Sequence, residues 1–186
     1  MIRRTLVGVL IGVVLLLMLD AVAARSGLAP GAIPKVDGTV PWTTSRAAGL
    51  TAFVALTLDL VLGLLLSSGV ADRVLQRARA VELHLWLSSA TLALVALHAL
   101  VLLVERFVGF DLIAISVPFT SSYRPLSVAL GVLSAYGALA LELSFRFRHR
   151  VGAKTWRKLH HLALPVFAMV VAHGVLAGSD AQSGPV

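Results

Sequence analysis

The sequence predicts an all-α integral membrane protein, a single bundle of five transmembrane helices. Three observations predict it. Of the 186 residues, 58% are hydrophobic and only 13% charged, against about 45–50% and about 25% in soluble domains. The mean hydropathy is +0.92. Five apolar stretches reach the length of about 20 residues that a bilayer crossing needs. This balance excludes an ordinary cytosolic globule, a disordered chain and a nucleic-acid binder, despite a pI near 11.1. The chain has no cysteine, which excludes disulfides, iron–sulfur clusters, thiolate-bound haem and cysteine nucleophiles.

The stretches run over 5–24, 47–70, 81–104, 126–145 and 159–178, more than half of the chain. The first is read as a retained span. Its basic start (Arg3, Arg4), apolar middle and Ala21-Val22-Ala23 also fit a cleaved signal peptide; cleavage would leave the remaining topology unchanged. The second carries Asp59 near its middle and the third carries His84 and His98. The fourth carries Glu142 and the small residues Gly131, Ala135, Gly137 and Ala138. The fifth carries His160, His161, Pro165 and His173. None is strongly amphipathic, as for helices touching lipid. With no internal repeat, residues 1–186 are expected to form one transmembrane domain.

The net charge of +7 reads as topology. The N-terminal tail has Arg3 and Arg4. The second loop has Arg73, Arg77 and Arg79. The fourth has Arg146, Arg148, Arg150, Lys154, Arg157 and Lys158. Those are eleven of the sixteen cations; Arg25, Lys35, Arg46, Arg106 and Arg124 fall in the alternate segments. The positive-inside rule then places the N-terminus in the cytoplasm and the C-terminus outside. Trp86 and Trp156 lie near the inner interface and Trp42 near the outer, as interfacial anchors do.

Five of the six histidines fall in two spans; His149 lies in the basic inner loop. Ionisable residues inside spans are costly and usually functional, although a lone one often only bridges helices. Here the depths match. At 1.5 Å per residue, His84 lies roughly 5 Å and His98 roughly 25 Å from the inner end of the third span. In the fifth, His160 lies roughly 2 Å and His173 roughly 21 Å from that end. Two cross-helix pairs, His84 with His160 and His98 with His173, are what two bis-histidine b-type haems require. Zinc would gather its ligands at one depth. His84 and His98, fourteen residues apart, face within about 40° of each other, but His160 and His173 stand about 140° apart on an ideal helix. From His161 the angle is about 120°. Either the fifth helix is distorted or its haems approach from different sides; Pro165, between the two histidines, supplies a kink.

The run Trp156-Arg157-Lys158-Leu159-His160-His161-Leu162, followed by His173-Gly174, resembles the ferric reductase-like transmembrane domain family. That family takes in the membrane parts of ferric reductases and NADPH oxidases, and the haem subunit of the bacterial methionine sulfoxide reductase system. The His84/His98 spacing is similar to its first pair. Val117-Pro118-Phe119, Tyr123-Arg124-Pro125 and Ala177-Gly178-Ser179-Asp180 resemble its short bacterial members. The likeness covers about 47–180; its spacing is fairly specific and its Leu/Ala/Val background is not.

The resemblance implies transmembrane electron transfer through two haem b in a bacterial cytoplasmic membrane. His84 and His160 would hold the inner iron, and His98 and His173 the outer, with His161 an alternative ligand. Arg77, Arg79, Arg157 and Lys158 would pair with inner propionates, and Arg106 and Arg124 with outer ones. Trp86 and Trp156 are also placed to pack on the inner haem. The inner cations equally fit plain positive-inside and surface roles; Arg124 fits them less well. Two departures stand out. Family members usually have a sixth helix, and oxidases and ferric reductases add a cytoplasmic flavin and nicotinamide domain. No G-x-G-x-x-G opens a helix here. The implied donor is a separate cytoplasmic flavoprotein reductase or quinol. The implied acceptor is an extracytoplasmic flavoprotein, a molybdoenzyme, ferric iron or oxygen.

Asp59 suggests a proton path, a quinone contact or a buried pair; its plainer reading is a hydrogen bond across helices. Ser67, Ser68, Ser88, Ser89 and the small residues of the fourth span read as close helix packing. Two alternatives to the electron conduit stay open. One is a small proton or metal transporter using the intramembrane histidines and Asp59. The other is a structural membrane subunit. Within the leading reading, a single-haem form also remains.

Overall fold

The computed structural model describes residues 39–73 and 75–178. All its elements are helices. Among the described residues four helices are long and apolar enough to cross a membrane: Val40–Ser67, Arg77–Val104, Pro125–Val151 and Ala153–Ala177. The expected first span, 5–24, lies outside the described residues. The chain divides into two compact units, Met1–Gly109 and Phe110–Val186.

In the first unit, α1 (Val40–Ser67) carries Pro41 in its first turn, where its fixed φ suits the helix. It begins earlier than the expected 47 because Val40–Arg46 is too polar to register as apolar span, although nothing in it breaks a helix. The helix stops at Gly69, whose φ of +74° suits glycine. A 3-10 turn (Ala71–Arg73) leads into α2 (Arg77–Val104). The two long helices run antiparallel. Leu62 packs on Ala71 and Ala80 with Leu66 and Leu87 beside them. Ser45, Ala48, Ala52, Asp59 and Leu62 form the buried stripe of α1, its small members letting the backbones approach closely. Leu50, Val54, Leu58 and Val61 face outward. Beyond α2, the fully buried Glu105 carboxylate accepts from the Phe107 and Val108 amides and closes the turn.

The second unit opens with α3 (Leu112–Ser116), capped by Asp111, whose Oδ1 accepts from Ala114 N at 2.7 Å. Next, α4 (Pro125–Val151) begins at a proline preceded by Arg124 in the left-handed region, φ +42°. The Tyr136 hydroxyl donates to the Ser116 carbonyl at 2.6 Å and ties α3 to α4. The basic segment after position 145, expected as a loop, is helical up to Val151. Arginines in a last turn suit the helix dipole, and Arg148 and Arg150 also lie over the Phe145 and Phe147 rings. Only Gly152, at φ +82°, separates α4 from α5 (Ala153–His160).

Helix α5 is amphipathic. Trp156, Leu159 and His160 share one face, and Lys154, Arg157 and Lys158 the other. The chain bends at His161 and Leu162 and continues as α6 (Ala163–Ala177). This is the expected Pro165 distortion: proline lacks the N–H that would bond to His161 O, and its ring crowds that carbonyl. His161 O instead accepts from Leu164 N at 3.2 Å, a three-residue closure. His161 and Leu162 have ψ of −16° and −10°. Two residues wound at about 120° each bring the His160–His173 offset from about 140° to about 100°.

Helices α4 and α6 pack antiparallel at Gly137, where a Cβ would stand 2.6 Å from Val166 Cγ2. Gly137→Ala is therefore expected to lower stability by about 1–3 kcal/mol. Adding Val166→Ala should return most of that loss. Thermal unfolding of the single and double variants in detergent measures both effects.

Candidate functional site

The histidines of the first unit sit in two joints between α1 and α2. At one, His98 Nδ1 lies 2.8 Å from the Ser45 carbonyl and 3.0 Å from the Ser45 hydroxyl. The hydroxyl donates back to the His98 carbonyl at 3.0 Å. One turn on, Gly49 leaves the space for the ring: a Cβ there would stand 3.0 Å from His98 Nδ1. At the other joint, His84 Nδ1 lies 2.7 Å from Asp59 Oδ1. Ser88 Oγ donates to Asp59 Oδ2 at 2.6 Å. Gly63, again one turn on, borders the ring, its built Cβ 3.2 Å from His84 Cε1.

The second unit repeats the first arrangement. His173 Nδ1 lies 2.7 Å from the Ser127 carbonyl, and Ser127 Oγ donates to the His173 carbonyl at 3.3 Å. A Cβ at Gly131 would stand 2.8 Å from His173 Cε1, so only glycine fits there. His160 is held differently. The Trp156 ring stacks on it with centroids 4.9 Å apart and planes 23° apart. Phe145 meets Trp156 edge-on at 5.8 Å.

Two imidazoles thus present Nδ1 to a fixed main-chain acceptor, and His84 Nδ1 stands 2.7 Å from a carboxylate oxygen. A carbonyl or carboxylate there accepts a hydrogen bond from Nδ1–H, a tautomer that puts the lone pair on Nε2, the nitrogen suited to bind a metal. Ligand histidines are held in this way because it fixes both tautomer and ring orientation. Among the described residues, no group of three or more His, Asp or Glu gathers as a bare metal ion would need.

The cations expected around the site are spread along the helices. Arg77 pairs with Asp72 at 2.7 Å at the start of α2; Arg79 and Arg106 are exposed. Arg124 Nη1 donates to the Leu176 and Gly178 carbonyls at 2.7 and 3.3 Å, capping α6. Arg157 and Trp156 line an open cleft of about 440 Å³ with Phe145, Arg148, His149, Gly152 and Ala153. Lys158 is exposed, and His161 is exposed at the bend. Trp156 Nε1 is buried and, among the described residues, has no hydrogen-bond partner.

Sequence reasoning misses Ser45, Gly49, Gly63 and Ser127 as site residues, and it assigns Ser88 and Gly131 to packing. A signal is nonetheless present. An acceptor residue precedes a glycine by four in Ser45–Gly49, Asp59–Gly63 and Ser127–Gly131. Ser67, Ser68 and Ser89 do bond back to carbonyls of their own helices. Comparison with family models, with curated proteins and with solved structures finds no match for this chain.

Nitrogen NMR of histidine-labelled protein without added cofactor is expected to show His84, His98 and His173 as Nδ1–H tautomers. Gly131→Val should move the His173 signals and leave those of His98 unchanged; a shift of both would mean a general loss of fold.

Proposed function

We propose that the chain is a membrane electron-transfer protein carrying two b-type haems, one held by His84 and His160 and the other by His98 and His173. The single observation that carries this reading is the repeated joint, in which Nδ1 faces an acceptor on the neighbouring helix, the arrangement that suits Nε2 ligation. The depth pairing of the sequence supports it, since each iron takes one imidazole from each histidine-bearing span.

The residues fit such a group. Histidine-only ligation suits b-type haem. The buried Trp156 Nε1–H lacks a partner beside Arg157, and donors of this kind suit a propionate carboxylate. Lys158, Arg77 and Arg79 add positive charge toward the His84 and His160 ends of their helices. Arg106 and Arg124 do so toward the His98 and His173 ends. Bound haem would supply a one-electron carrier that cycles between ferric and ferrous iron. The protein fixes the imidazoles, and its outward leucines and valines keep the site in lipid.

In this reading the N-terminus is cytoplasmic, the C-terminus is outside, and the membrane is the bacterial cytoplasmic membrane. Electrons come from a separate flavoprotein or quinol and leave to an extracytoplasmic flavoprotein, molybdoenzyme, ferric iron or oxygen, as in the family the sequence resembles. A second reading, a proton path, is favoured by the Asp59–His84 contact alone; it requires transport that persists without haem.

Haem-replete expression is expected to give a protein with reduced b-type absorption bands and two haems per chain. His98→Ala or His173→Ala should each remove one haem and spare the other. A colourless protein would overturn the reading.

A further inference from the structure

We propose that Asp59 sets the two haem sites apart in reduction potential, making the haem on His84 the harder to reduce; the inference rests on the haem reading above. The contrast between the joints carries it. His98 and His173, the pair assigned to one iron, both give Nδ1–H to neutral main-chain carbonyls, of Ser45 and Ser127. His84 Nδ1 instead lies 2.7 Å from a carboxylate oxygen, Asp59 Oδ1. Asp59 is only 6% exposed, so water does little to dilute this interaction. Ser88 holds the second carboxylate oxygen at 2.6 Å and keeps the first aimed at the ring.

A carboxylate draws the Nδ1 proton more strongly than an amide carbonyl, and so raises the basicity of Nε2. A more basic imidazole stabilises ferric over ferrous iron, and second-shell hydrogen bonding is one of the levers that set haem potential. With haem held at both sites, the ordering would favour passage of one electron from the His84 site, where iron(II) would become iron(III), to the His98 site, where iron(III) would become iron(II), with no bond made or broken. Asp59 touches no reacting atom in this scheme. It is a positioning residue that acts through His84.

Potentiometric titration of single-haem proteins tests the proposal. His98→Ala retains the haem on His84, and His84→Ala retains the haem on His98. The first should have the lower potential, by at least tenfold in the reduction equilibrium, about 59 mV for one electron. Asp59→Asn added to His98→Ala should raise that potential by a similar factor; added to His84→Ala it should move nothing. If Asp59→Asn fails to fold, the two single-haem proteins still decide, because both keep Asp59. Equal potentials, or an Asp59→Asn titration that overlies its parent, would overturn the proposal and leave the haem reading standing. Absence of haem from every form would overturn both.

Discussion

An imidazole between two apolar helices needs room and an acceptor for its ring N–H, and the rest of the structure depends on meeting both needs together. An unpaired polar group in hydrocarbon costs several kcal/mol. A ring also does not fit where two helix backbones carry ordinary side chains. The answer is the same three times: an acceptor at one position of the facing helix, and glycine four residues later. In two cases the acceptor is a helix carbonyl, which has a second lone pair to offer. Such an acceptor does not rotate away, so the backbone itself orients the ring. Asp59 is the exception, and it needs Ser88 to hold it.

This constraint also sets the register of the first unit. Asp59 lies fourteen residues after Ser45, and His84 lies fourteen before His98. On antiparallel helices the two intervals match, so both joints close in one alignment and a slip would open both. In the second unit that logic holds only at Ser127 and His173. His160 lies thirteen residues before His173, and thirteen after Ser127 stands Ala140, which has neither carboxylate nor hydroxyl.

Much of this is legible in the sequence, and the remainder has physical reasons for its silence. The helical class and the four described crossings follow from apolar length. The ends are less legible. Hydropathy marks where a chain leaves hydrocarbon, whereas a helix ends at a cap or breaker, so α4 runs on through Arg146 and Arg150 to Gly152. The kink expected from Pro165 is present, as a bend one turn earlier, because proline acts on the carbonyl four residues before it. The histidines stand out because charge is rare in a span. Their partners do not. Ser45, Ser127 and the glycines are the ordinary small residues of helix packing, and a main-chain acceptor has no side-chain signature at all. Only the three-dimensional pairing of each with a ring separates Gly131 from Gly137, which admits Val166.

His160 shows the alternative to such a joint. It sits at the last turn of α5, just before the bend. Its neighbour is a ring instead. Trp156, one turn earlier on the same face, stacks on it and is braced by Phe145. Stacking restrains the plane of an imidazole and gives it apolar contact, but it takes no proton from Nδ1 and so does not choose the tautomer. The fourth position is therefore bounded by an aromatic wall. Pro165 bears on its placement: a straight helix would have carried His160 farther round from the face that bears His173.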